Sequence, residues 1–344
     1  MTKKIISALQ GNIFEKPPFW FMRQAGRYLP EYREVRATAS NFLELCYSPE
    51  KAAAITLQPL QRYDMDAAII FSDILVLPDA LGQKVEFLEG KGPILEPISN
   101  EIDLKRLSLD RIDEILSPIF QTISMVSAEL DDKKALIGFA GAPWTVAFYM
   151  IEGQSSNDGT KIRRWAATKP DSFQRLIDIL CDATIHYLSR QILEGVEAIQ
   201  LFDSWAGLLS ETQFRKWVIE PNRRIVEGIK NNYPSIPIIG FPRNAGLMYF
   251  DFVDRTGVDA VSIDHTVPVD WAAEVLQPIC TVQGNLDNHL LVAGGEVMKY
   301  EVEKILATLG KGPFIFNLGH GILPMTPPSH VGDIAELITK WENS

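Results

Sequence analysis

The sequence predicts an α/β fold, a single (β/α)8 TIM barrel spanning residues 1–344, and three observations carry that reading. Eight short apolar runs are spread over the whole chain. Segments of mixed charge with helical apolar spacing lie between them. No Pro/Ser-rich linker or shift of composition divides the 344 residues.

The runs, in order, are FWFM (19–22), AAIIF (67–71), ALIGFA (135–140), AIQLF (198–202), PIIGF (237–241), AVSID (260–264), TVQGN (281–285) and FIFNL (314–318). Most are continuously apolar rather than alternating, as expected for parallel strands covered on both faces. Amphipathic helices are expected over 49–64, 110–130, 171–195, 211–232, 269–278, 294–309 and 330–342. The interval from 71 to 135 is long for one crossover, so an extra hairpin is expected near 83–98. A doubly wound open sheet is the alternative. It would normally carry GxGxxG after its first strand, and that motif does not occur here.

Composition narrows the function classes. Hydrophobic residues make up 46% and charged residues 22%, which is ordinary for a globular chain. Lys and Arg number 33 against 44 Asp and Glu, a net charge of −11 that argues against a nucleic-acid partner. At first sight it also argues against a polyanionic ligand. Three scattered cysteines (Cys46, Cys181, Cys280) without CxxC spacing suit a reducing, cytoplasmic compartment. The uncharged run Gly312–Gly332 is broken by Pro313, Pro324, Pro327 and Pro328, so no membrane span is expected.

In a barrel, chemistry gathers where strands end. The residues following these runs include Arg23-Gln-Ala-Gly-Arg27, Ser72-Asp73, Gly141-Ala-Pro-Trp144, Asp203-Ser-Trp-Ala-Gly207, Pro242-Arg-Asn-Ala-Gly246, Asp264-His265, Gly284-Asn285 and Gly319-His-Gly321. Singly, each suits a turn. Together they place arginines, aspartates, two histidines and a serine on one rim. Arg23 and Arg27 flank small residues, so two guanidiniums and free N–H groups can clamp carboxylates or phosphates. Arg33 and Arg36 are expected instead to pair with Glu31 and Glu34 on a solvated helix start.

MRQAGRYLPEYR and GFAGAPWTVAFYMIEG resemble the two signature segments of the uroporphyrinogen decarboxylase family. LFDSWAG, IIFSDIL and NLGHGILPMTPP are similar to that family at the corresponding places, so the resemblance runs from about 17 to 340. It implies a single (β/α)8 barrel, a cytosolic homodimer, and a carboxy-lyase of tetrapyrrole synthesis. The substrate would be uroporphyrinogen III, its four acetates losing carbon dioxide to become methyls and give coproporphyrinogen III. No cofactor and no metal are implied. Arg23, Gln24, Ala25, Gly26 and Arg27 would bind substrate carboxylates, and Asp73 would face the pyrrole N–H groups. Tyr149, Ser204 and His320 would supply the remaining polar contacts.

These residue types fit the chemistry. A carboxymethyl pyrrole loses carbon dioxide once a ring carbon is protonated, because the ring then serves as the electron sink. An ionised Asp73 in a desolvated cleft stabilises the positive charge, and Arg23 positions the leaving carboxylate. Arginine is a poor acid, so His320 or a clamped water is the easier proton donor. Away from the resemblance, Tyr149 also reads as a core tyrosine, and Ser204 as a helix cap. His320 lies between glycines that permit close approach of a ligand. Asp264 and His265 receive no role. Arg243 is left open between a supporting place and a carboxylate contact.

Two rivals remain at this point. A zinc-binding methyltransferase branch shares the barrel but needs His-x-Cys with a distant Cys, whereas Thr266 and Val267 follow His265. The other is a tetrapyrrole carrier without catalysis. Segment 153–160 reads as a solvated loop in preference to a lid.

Overall fold

Seven of the eight predicted strands form in the computed structural model, which describes residues 2–88 and 92–342. They are β1 (Ala67–Ile69), β4 (Ala135–Gly141), β5 (Ala198–Asp203), β6 (Ile238–Pro242), β7 (Ala260–Ser262), β8 (Thr281–Leu286) and β9 (Phe314–Leu318). They pair in that order as one parallel sheet. The expected hairpin is present as β2 (Val85–Leu88) against β3 (Gly92–Leu95), antiparallel, and residues 89–91 lie outside the described residues. So do residue 1 and residues 343–344 of the expected 1–344 domain.

The first predicted strand differs. Residues 19–22 make only one parallel bridge, Phe19 to Phe316. Side chains occupy the places where ladder bonds would form. Phe19 N–H donates to Asp66 Oδ2 at 2.9 Å, Phe21 N–H to Gln24 Oε1 at 3.1 Å, and Met22 N–H to Asn317 Oδ1 at 3.0 Å. Pro17 and Pro18 offer no N–H at all. The segment nonetheless touches both edges of the sheet. Phe316 N–H donates to Pro18 O at 2.9 Å, and Asp66 N–H, just before β1, to Phe19 O at 3.0 Å.

Helices at Pro49–Arg62, Ile112–Glu129, Pro170–Leu193, Gly295–Leu309 and Pro328–Lys340 match the amphipathic segments to within a few residues. The segments expected over 211–232 and 269–278 instead contain π-helical turns at Arg215–Ile219 and Ala272–Leu276. Segment 153–160 is a surface loop, tied down where Ile162 N–H donates to Glu152 Oε1 at 3.0 Å. Among the described residues no helix is long and apolar enough to cross a membrane.

Aromatic and aliphatic side chains fill the space between sheet and helices, with Trp20, Trp144, Trp217 and Phe173 fully buried. A polar layer crosses the sheet beneath its C-terminal ends. The Trp20 indole donates to Gln283 Oε1 at 2.8 Å, and Gln283 Nε2 reaches Gln200 Oε1 at 3.2 Å and Ser262 Oγ at 3.0 Å. This connected network ties residues 19–22, β5, β7 and β8 into one rigid floor.

Candidate active site

Asp73, Tyr149 and His320, which follow the ends of parallel strands, each lie close enough to Arg23 to feel its charge. Arg23 follows the 19–22 segment in the left-handed conformation (φ 59°), which a β-carbon resists. Two features hold it there. Gln24 braces the turn through its buried side chain, and Gly321 leaves room for the arginine stem. A β-carbon at 321 would lie 2.4 Å from Arg23 Cδ.

Gln24 is fully buried and turned away from the rim. Its Oε1 accepts from Phe21 N–H, its Nε2 donates to Ala67 O at 3.1 Å, and its carbonyl accepts from the Tyr28 hydroxyl at 2.8 Å. With these groups committed inside the protein, Gln24 holds the clamp's backbone and does not line it. Arg33 corrects its expectation too. It donates to Arg27 O at 2.9 Å and Tyr28 O at 3.1 Å, while Arg36 donates to Ala39 O and Glu31 pairs with Arg62. Backbone carbonyls are nearer than the glutamates because the chain curls back over the helix start. Arg27 is left exposed, and among the described residues the N–H groups of Ala25, Gly26 and Arg27 meet no acceptor.

Asp73 lies four residues beyond β1 in a turn closed by Leu75 N–H donating to Oδ1 at 2.9 Å. Burial pushes its carboxyl up to about 6, against the opposing pull of that bond and of the Arg23 charge. At neutral pH it is mostly ionised with a protonated minority. Tyr149 sits half-buried on the Pro143–Glu152 helix that follows β4. Burial raises its hydroxyl, and it feels the charges of Asp73, Arg23 and Arg243 together. The core reading of Tyr149 has packing behind it, for its ring lies edge-on to Trp205 at 6.3 Å.

Ser204 ends β5 half-buried and caps nothing. Its hydroxyl has no protein partner among the described residues. His320 follows β9, half-buried, with Nδ1 sequestered and unpartnered. Burial first, then the Arg23 and Arg243 charges, hold its imidazole down at about 3. This holds it neutral at physiological pH in the ligand-free protein and favours the clamped water over His320 as proton donor. Its flanking glycines answer to the protein itself. A β-carbon at 319 would lie 2.3 Å from the backbone nitrogen of His265, as one at 321 would meet Arg23.

Two aspartates that the sequence leaves without a role prove to be supports. Asp264 is fully buried and accepts from Asn244 N–H at 2.7 Å, the Tyr249 hydroxyl at 2.9 Å and Thr266 N–H at 2.9 Å. Burial pushes its carboxyl up, but these donors outweigh it and keep the group below its ordinary value. Asp203, also buried, has fewer donors. The Thr145 hydroxyl donates to it at 2.6 Å and Asn222 Nδ2 at 3.2 Å. Burial therefore dominates and carries Asp203 up to about 7. The Thr145 oxygen in turn accepts from Trp205 N–H at 3.1 Å, which fixes the turn carrying Ser204. The one sequence signal for Asp203 is its place inside LFDSWAG.

Three guanidiniums, Arg23, Arg27 and Arg243, make no ion pair among the described residues, and Asp73 lies close enough to Arg23 to feel its charge. Such a surface holds carboxylates of a ligand and accepts its N–H groups. Among the described residues no group of three or more His, Cys, Asp or Glu is placed to hold a metal ion.

Comparison with known proteins places this chain. The family described as Uroporphyrinogen decarboxylase (URO-D) matches residues 1–341. A uroporphyrinogen decarboxylase of Rhodospirillum rubrum is 52% identical over 336 residues, 98% of this chain and 97% of that protein. One from Chelativorans sp. is 50% identical over 330 residues, 96% of each. Among solved structures, a methyltransferase from Methanosarcina mazei covers 98% of this chain and 97% of its own, with a TM-score of 0.79 and 18% identity. At that identity the likeness is one of fold.

Proposed function

The chain belongs to the uroporphyrinogen decarboxylase family, and we propose that it removes the four acetate carboxyls of uroporphyrinogen III without a cofactor, yielding coproporphyrinogen III. The observation that carries this reading is the unpaired Arg23 guanidinium acting on the desolvated carboxylate of Asp73. Acidic outside, the chain still keeps a rim that suits an octacarboxylate, because a site answers to local charge.

In each round a proton adds to the α-carbon beside the acetate-bearing ring carbon, which leaves an iminium-like ring. The bond to the carboxylate then breaks, and its electron pair flows into the ring as carbon dioxide departs. A proton on the methylene carbon and loss of the first one restore the pyrrole, so each carbon dioxide consumes one proton net. Asp73 accepts the pyrrole N–H groups and offsets the developing positive charge. Arg23 positions the leaving carboxylate, and Arg27 with the N–H groups of Ala25 and Gly26 holds others. Tyr149 and Ser204 supply hydroxyl contacts. His320 contributes as a neutral hydrogen-bonding group, and the ring proton comes from water ordered at the clamp or from the protonated minority of Asp73.

We further read the chain as one domain, a closed eightfold barrel with residues 19–22 as the eighth stave. Their hydrogen bonds to Phe316 and Asp66 support this. A cytoplasmic homodimer that binds neither membrane nor nucleic acid completes the proposal, in keeping with the net charge of −11.

Anaerobic incubation with uroporphyrinogen, followed by chromatography of the products, tests the reading. Stepwise appearance of seven-, six-, five- and four-carboxylate products is expected. Binding without loss of carboxylates would make the protein a carrier. Stoichiometric zinc in the purified protein would revive methyl transfer. If Asp73→Asn kept most of the turnover while Arg23→Lys lost all of it, the division of labour between the two would be wrong.

A further inference from the structure

Arg243 follows β6, the central strand of the seven and the one farthest from both sheet edges. Arg23 follows the segment that touches those two edges. The two guanidiniums therefore rise from far sides of one rim, yet both act on Tyr149 and on His320, which lie between them.

The backbone at Arg243 is fixed from the β5 side and by its own strand. Its N–H donates to Asp203 O at 3.1 Å and Phe241 O at 3.0 Å, and its carbonyl accepts from Gly207 N–H at 3.1 Å. The next residue, Asn244, is held at φ 61° by its N–H bond to buried Asp264. A strained, thrice-bonded turn is more than a solvated arginine needs. The side chain, by contrast, is bonded to nothing. Its Nε is buried without an acceptor, and among the described residues no carboxylate pairs with it. On the same mouth His320 Nδ1 is also buried and unpartnered. Buried polar atoms normally find partners, so two such orphans on residues close enough for His320 to feel the Arg243 charge point to a group absent from the protein. Nearby Arg215 provides the contrast, since it pairs with both Glu211 and Asp251.

We propose that Arg243 forms a second carboxylate site at the β6 end. It would take a carboxylate side chain of the bound tetrapyrrole on a ring remote from the one held by Arg23 and Arg27. In its Nδ1–H tautomer His320 donates to the same carboxylate. The octacarboxylate is thereby gripped at two poles, and Arg243 sets affinity and not the chemical step. This rests on the decarboxylase reading above.

The test compares wild type, Arg243→Gln and Arg243→Lys by anaerobic steady-state kinetics, and by equilibrium binding of uroporphyrinogen followed through tryptophan fluorescence. Arg243→Gln is expected to raise KM and Kd about 10- to 100-fold, the range of a lost charge-assisted hydrogen bond. Its kcat should move less than about threefold, the signature of uniform binding. Arg243→Lys keeps a point charge and should fall between. Unchanged KM and Kd in Arg243→Gln, or a loss confined to kcat, would overturn the proposal. Should Arg243→Gln fail to fold, the lysine variant decides: wild-type KM and Kd overturn the site, and intermediate values support it. If wild type binds uroporphyrinogen but releases no carbon dioxide, the decarboxylase reading falls while the binding data still judge Arg243.

Discussion

Arginines on the outer helices and arginines on the rim meet opposite surroundings. On the outside, Arg224 donates to Asp178 and Asp182, both at 2.6 Å, and Arg223 reaches Glu220 at 2.8 Å and Glu227 at 2.6 Å. On the rim, Arg23, Arg27 and Arg243 have no such partner among the described residues, and the carboxylate that feels Arg23 most directly, Asp73, is itself desolvated. Exposed pairs are worth little and serve solubility. Guanidiniums left unpaired beside a partly desolvated carboxylate remain free to bind a ligand's carboxylates. An overall charge of −11 therefore describes the outer layer and says nothing of the rim.

The largest effect is expected at Arg23. Arg23→Gln should lower kcat/KM by about 10³-fold, since it removes both positioning and charge. Retention within tenfold, measured by product chromatography, would break the contrast between rim and exterior. Next comes Asp73→Asn, with a loss of about 10²- to 10³-fold in kcat. Because the ionised form is the working one, wild-type kcat/KM should rise with pH through about 6 and level off above it. The asparagine variant should lose that inflection. A profile that falls through 6 would instead make protonated Asp73 the acid.

Asp203 gives a smaller, thermodynamic effect. Its folded value of about 7 lies above its ordinary 3.8, so the neutral carboxyl is the stabilising form. That stabilisation is complete below pH 3.8 and is lost as pH rises through 7. Melting at pH 5 and pH 8 should show Asp203→Asn with a flatter pH dependence than wild type, by on the order of a few kcal/mol. An unchanged slope would mean the group is already ionised when folded. Smallest is Arg224→Gln on the exterior, expected to cost less than about 1 kcal/mol by denaturant titration and to leave kcat and KM alone. A kinetic effect there would blur the comparison.

Much of this was legible in the chain. The continuous apolar run ALIGFA marks β4, and the mixed pattern of 171–195 marks the longest helix, because burial periodicity is written in near neighbours. The arginine-flanked turn after FWFM was legible for the same reason. That FWFM makes only a single bridge was not, because its ladder positions are taken by Asp66, Gln24 and Asn317, two of them far away in sequence. Nor was the orientation of Gln24 legible. A glutamine between two arginines reads as part of the clamp until Ala67 O is seen to claim its amide.

What the sequence by itself determined is the alternation of strands and helices, the placing of polar residues at strand ends, and the family signatures. Each depends on residue type and local spacing. Only the tertiary structure decided which charges stay unpaired, that His320 is neutral, and that Asp264 is ionised while Asp203 is poised near neutrality. Those properties depend on desolvation and on donors brought from remote segments, such as Asn222 beside Asp203 and Asn244 beside Asp264. They come into being only when the sheet curls and its ends converge.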